Sequence, residues 1–296
     1  MITEWFEVVD DRFRALLLPN VHVDTLFDGG RWLEGPVWVP AAKHLLFSDI
    51  PNNRVMRWDA ASGHVSVFQQ PSHFANGHTR DRQGRVLACE HQTRRVTRFE
   101  HDGSVTVVAD SYRGKRLNSP NDLVEGPDGA IWFTDPTYGI LTEYEGGRCD
   151  SEIGSHNVYR VGPEGAAEAV ITDLVQPNGI AFSPDGSVLY VADSGSTPSR
   201  MMAYEIGADG LPGKATVLHE ALRGIYDGFR LDRLGNLWVA AEEGVVCLAP
   251  DGTLLGRILL PEVVGNVEFG GPERNRLFIC ATRRLMAVYL NVTGAQ

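Results

Sequence analysis

The chain is predicted to be all-β, folded as a six-bladed propeller. Three observations predict this: a motif that occurs six times, a nearly constant length within each copy, and turn chemistry between the apolar runs. The motif is a polar residue, usually followed by Gly, then a short apolar stretch, a Gly/Asp/Pro turn, and an apolar run ending in a small or acidic residue. Its copies run from Glu34 to Asp49, Asn76 to Glu90, Asn121 to Asp135, Asn178 to Asp193, Asp227 to Ala241 and Asn266 to Ala281. The leading residues are spaced 42, 45, 57, 49 and 39 apart, and each precedes the end of its run by 14 or 15 residues. Units of roughly 40–45 residues are the length of a four-stranded blade.

Each element follows from composition. Runs such as Leu45-Leu46-Phe47, Ile131-Trp132-Phe133 and Leu277-Phe278-Ile279 are aromatic or aliphatic and bounded by turn residues, as strands are. Val96–Phe99 and Val105–Val108, joined by His101-Asp102-Gly103, make the clearest outer hairpin. Trp38, Trp132 and Trp238 are expected to pack in the core. Residues 1–20 stand apart: Trp5, Phe6, Val9, Phe13, Leu16 and Leu17 have roughly helical spacing, which predicts a short N-terminal helical arm. Val21–Phe27 is expected to close the ring beside Leu285–Leu290. No linker divides the chain, so residues 1–296 read as one domain.

Composition limits the partners. Twenty-seven basic against 38 acidic residues give a formal charge of −11, which disfavours nucleic acid and anionic membranes. No stretch approaches a membrane span and the N-terminus lacks a signal-peptide pattern, so a cytoplasmic location is expected. The four cysteines form no C-x-x-C pair, and Cys89, Cys247 and Cys280 lie in apolar runs as small core hydrophobes. Nothing indicates more than a monomer or weak homo-oligomer.

In a propeller the first strand of every blade lines the central channel. Matching positions must therefore form a ring: Glu34, Asn76, Asn121, Asn178, Asp227 and Asn266, all oxygen donors. Asn-Gly and Asp-Gly are also turn dipeptides, but six copies in register outweigh that reading. Glu34 and Asp227 would be buried carboxylates with no basic ring partner, an expensive arrangement unless a cation compensates. Hard oxygen donors select Ca²⁺ first, with Mg²⁺, Mn²⁺ and Zn²⁺ as alternatives. His78, Glu90, His91, Tyr138 and His156 are further candidates for the channel mouth. Asp49, Asp135 and Asp193 end matching strands and are expected to bind turn amides. A serine-nucleophile elbow and a phosphate-binding glycine loop are both missing.

Glu34-Gly35-Pro36-Val37-Trp38, Ser119-Pro120-Asn121-Asp122-Leu123, Pro177–Gly186 and Asp227–Asp232 resemble the signatures of the senescence-marker-protein/gluconolactonase/luciferin-regenerating-enzyme family, and Phe269–Leu277 resembles its bacterial gluconolactonase branch. The resemblance runs from about residue 5 to the end. It implies a six-bladed propeller with one divalent ion held by Glu34, Asn178 and Asp227, with Asn121 contacting metal or substrate. Ser119 stands where some animal members carry a substrate-binding arginine, so their sugar recognition does not transfer. The expected activity is hydrolysis of a small sugar lactone. Asp227 would serve as general base and Asn121 as a catalytic orienting group, with His78, Glu90 and Tyr138 near the substrate. Cleavage of another ester such as a phosphotriester, or a non-catalytic Ca²⁺-binding propeller, are the rival readings.

Overall fold

The computed structural model describes residues 4–295. Six antiparallel sheets of four or five strands follow one another along the chain. Their innermost strands are Leu33–Val39, Ala75–Arg80, Leu123–Glu125, Pro177–Phe182, Tyr226–Leu231 and Val264–Gly270. The second strands are His44–Asp49, Val86–Glu90, Ile131–Asp135, Val188–Asp193, Leu237–Ala241 and Arg276–Ala281, the six apolar runs of the repeat. Each sheet is one blade of the predicted propeller. The outer hairpin of blade two pairs Arg95–Phe99 with Val105–Ala109.

The blades interlock through aromatic side chains. Trp38 of blade one stacks on Phe278 of blade six (5.8 Å between centroids), and Trp132 of blade three meets Phe182 of blade four edge-on at 5.5 Å. Trp238 of blade five meets Phe269 of blade six at 6.2 Å. All three tryptophans are buried, as are Cys89, Cys247 and Cys280; Cys149 is exposed.

The ends of the chain differ from expectation in one respect. Val23–Asp28 pairs with Arg284–Tyr289 and closes the ring within blade six, as the pattern predicts. Over residues 4–20 the helical arm does not form as such; residues 1–3 of the expected arm lie outside the described residues. Phe6–Val8 adds a fifth strand to the rim of blade five, against Leu254–Leu259, and only Arg12–Leu16 is helical. The apolar spacing has another cause: Phe13 and Leu16 fill the space between blades five and six, Phe13 lying 5.9 Å from Trp238, while Phe6 packs in strand geometry. A five-residue helix is too short to stand without such packing.

The Asn-Gly and Asp-Gly pairs lie inside strands, not in turns. At the ring position the pairing register shifts between Glu34 and Val37, Ala75 and His78, Pro177 and Ile180, Tyr226 and Phe229, and Val264 and Asn266. Bulges of this kind re-aim a side chain. The glycines are there because neighbouring inner strands nearly touch. A Cβ on Gly35 would fall 1.9 Å from the Asn76 carbonyl oxygen, one on Gly77 2.4 Å from that of Asn121, and one on Gly179 2.5 Å from that of Asp227. Gly35 also has φ +50°. Gly35→Ala should therefore lower stability by about 3 kcal/mol, overpacking added to backbone strain. Gly63→Ala carries only strain, because no atom lies within 4 Å of its Cβ position, and should cost about 1 kcal/mol. Denaturant midpoints of the two variants measure the difference.

Candidate active site in the central channel

All six ring residues are buried. Three of their carbonyls are held by neighbouring blades: the Ser48 hydroxyl donates to the Asn76 carbonyl (2.8 Å), the Thr134 hydroxyl to that of Asn178 (2.7 Å), and the Gly77 amide to that of Asn121 (2.8 Å).

Glu34 and Asp227 share one electrostatic environment. Burial, then the negative charge of Asp227, pushes the Glu34 carboxyl well above its ordinary range; the Gly35 amide, donating to Oε2 at 2.9 Å, opposes this. Burial, then the Glu145 carboxylate, pushes Asp227 well above its own, against the favourable Asn178 amide. Asp122, directly after Asn121, adds a third negative charge to both.

One arginine lies near the ring without occupying a ring position. Arg230, three residues beyond Asp227, is buried and spoken for: it donates to Glu268 (2.9 Å), to Asp122 (3.4 Å) and to the His78 carbonyl (3.3 Å). Two carboxylates neutralise it, so it does not compensate Glu34 or Asp227. Among the described residues neither of those acids has an ion pair, and no three His, Cys, Asp or Glu side chains converge as a conventional ligand cluster. The ring is instead two carboxylates and four carboxamides.

The mouth candidates divide. Tyr138, on the one-turn helix Tyr138–Leu141, lies beside the Asn178 and Ser194 side chains, and burial raises its phenol so that it stays protonated. His91 is fully buried and orients Asn76. Its Nδ1 lies 2.9 Å from the Glu145 carbonyl, which can only accept, so Nδ1 carries the proton. Nε2 must then accept from the Asn76 amide at 3.3 Å, leaving the Asn76 Oδ1 for the channel. Burial holds His91 at about 4, which keeps that tautomer neutral.

His78 and Glu90 are engaged elsewhere. The His78 ring is bonded to the Gly35 carbonyl (2.9 Å) between blades one and two, and burial lowers it to about 4. The Glu90 carboxylate accepts from Arg95 (2.7 Å), Thr97 (3.1 Å) and Thr93 within its own blade. The Gly35 bond takes up Nδ1 of His78, and both Glu90 oxygens are taken up within blade two. His156 is bonded to the Val175 carbonyl. Asp49 and Asp193 accept turn amides as expected, from Arg31 and from Val175 and Gln176; Asp135 accepts from the Asn118 amide.

Sequence reasoning missed three participants. Asp122 had a signal, since blades one, two, four and five carry Gly at its position. Arg230 sat inside a quoted motif without a role. Glu145 had none, because the loop between Asp135 and Asn157 falls outside the repeat.

Fold and channel together define a class: a six-bladed propeller with an acidic, carboxamide-lined axis. Residues 32–283 match the SMP-30/gluconolactonase/LRE-like region, and the chain belongs to that family. It is 33% identical to a gluconolactonase of Zymomonas mobilis, across 96% of this chain and 85% of that one. It is 29% identical to a pentonolactonase of Haloferax volcanii, across 83% and 80%. A gluconolactonase structure from Xanthomonas campestris superposes with a TM-score of 0.91 at 36% identity, covering 97% of this chain and 95% of that one. A calcium-binding regucalcin from Agrobacterium tumefaciens shares the fold, with a TM-score of 0.76 at 23% identity, across 93% and 95%.

Proposed function

We propose that the protein hydrolyses small sugar lactones at the channel ring and that one hard divalent cation, Ca²⁺ first, belongs there. The observation that carries the reading is the Glu34–Asp227 pair: two buried carboxylates, each raised by burial and by negative neighbours, with no basic partner. Such a pair is unfavourable as it stands and becomes favourable around a dication. Glu34, Asn178, Asp227 and Asn121 would hold the ion, hard oxygen donors that suit it. When bound, the ion would act as a Lewis acid toward the lactone carbonyl.

The chain's own residues supply the rest. Asp227 accepts the proton of the attacking water. The Asn121 carboxamide orients the lactone, and the protonated Tyr138 hydroxyl offers a donor beside Asn178. Burial of all six ring residues limits access of bulk water. Relatives that act on gluconolactone and pentonolactone support this substrate class.

A pH-stat assay tests the reading with glucono-1,5-lactone, a pentonolactone and a phosphotriester, each with chelator and after Ca²⁺, Mg²⁺ or Mn²⁺ is restored. Lactone turnover that falls at least tenfold on chelation and returns with metal is expected. Phosphotriester turnover alone would reassign the chemistry, and no turnover with any substrate would leave a binding propeller.

A further inference from the structure

We infer that Glu145 is a substrate-touching specificity residue whose carboxylate accepts hydrogen bonds from the hydroxyl groups of a polyhydroxylated lactone. This rests on the lactonase reading above and deepens it. The loop that carries Glu145 lies between the second and third strands of blade three, outside the repeat. It is pinned in place. The Gly147 amide donates to the Gly139 carbonyl (3.2 Å), and the Cys149 amide to that of Ile140 (3.1 Å). A Cβ on Gly146 would fall 2.2 Å from the Gly139 oxygen, and one on Gly139 2.4 Å from the His91 ring, so these two glycines let the loop lie flat on the imidazole. The Glu145 carbonyl is then bonded to His91, which in turn holds the ring residue Asn76.

The Glu145 side chain is anchored by its backbone at the ring's edge and is the strongest charge acting on Asp227. It is only partly exposed, yet among the described residues its carboxyl takes part in no hydrogen bond or ion pair. Outside the Glu34–Asp227 pair, other acids near the channel have partners: Arg230 for Glu268, Arg230 and the Leu123 amide for Asp122, and three donors for Glu90. A carboxylate left with its acceptors unfilled beside the reacting position suits a ligand rich in hydroxyl donors. An unsubstituted lactone has nothing to give it.

The test is kcat and KM of wild type, Glu145→Ala and Glu145→Gln with glucono-1,5-lactone and with δ-valerolactone, which has the same ring and no hydroxyls. If wild type turns valerolactone over too slowly, its inhibition constant against gluconolactone hydrolysis replaces its KM. Glu145→Ala should raise KM for gluconolactone about tenfold or more, the worth of a hydrogen bond to a charged group, with Glu145→Gln in between. Valerolactone KM, or its inhibition constant, should stay within about threefold of wild type, while any kcat change relayed through Asp227 falls alike on both lactones. Equal KM rises on both lactones would reveal a purely structural loop residue and overturn the inference, as would an unchanged KM for gluconolactone. Failure of wild type to hydrolyse any lactone would instead overturn the functional reading itself.

Discussion

Asp227→Asn should reduce kcat on glucono-1,5-lactone by about 10²–10⁴-fold, the range for loss of a general base, while the protein stays folded. The substitution keeps an oxygen at the ring and removes only the capacity to accept a proton. It also fits sterically, because four of the six ring positions are already Asn. Stability should hold or rise in the absence of metal, since a buried carboxylate that burial and Glu145 both disfavour is neutralised. Circular dichroism and the thermal midpoint report the fold. The kinetic measurement is made with the cation in excess, so that weakened affinity does not pass for lost chemistry. Activity within tenfold of wild type would remove Asp227 from the base role and point to another acceptor.

Glu34→Gln should separate stability from cation binding. The Glu34 carboxyl titrates well above its ordinary value of 4.5, and Asp227 well above 3.8. For each, the folded state holds its proton to higher pH than the unfolded chain does. The stabilising contribution is therefore full below about pH 4 and is lost as pH rises through the folded-state values. In chelator, wild type should lose stability relative to Glu34→Gln as pH is raised from 4 toward 8. Adding a divalent cation should reverse the order: at a hundredfold excess over Kd it stabilises wild type by about 2.7 kcal/mol and the variant by much less. Denaturant midpoints at several pH values, with and without metal, give all four curves. Wild type and variant that respond equally to the cation would place the ion elsewhere.

The fold was legible because its repeat is chemical as well as geometric. The residues that begin each copy, from Glu34 to Asn266, are fixed in register by the apolar run that follows, and the second strands stand where those runs predict. The N-terminal arm misled because Phe6 and Phe13 are buried for different reasons, one in a rim strand and the other between blades. The ring was legible for the same reason as the fold. The mouth was not. Whether His78 and Glu90 reach a substrate depends on the Gly35 carbonyl and on Arg95, contacts that no spacing reveals. Glu145 belongs to a loop whose course is decided by two glycines and an imidazole far away in sequence.

Closure of the ring between Val23 and Val288 joins the beginning of the chain to its end. That pairing is among the most distant in sequence, and such contacts form late and slowly. The donors proposed for the cation, Glu34, Asn121, Asn178 and Asp227, come from blades one, three, four and five, so their spacing about the axis should be set only after this clasp has engaged. A partly assembled protein should bind the cation weakly, and metal uptake during refolding should track the slowest step of assembly. The ion would then act as a seal on the finished ring, tightest in molecules whose two ends have found each other.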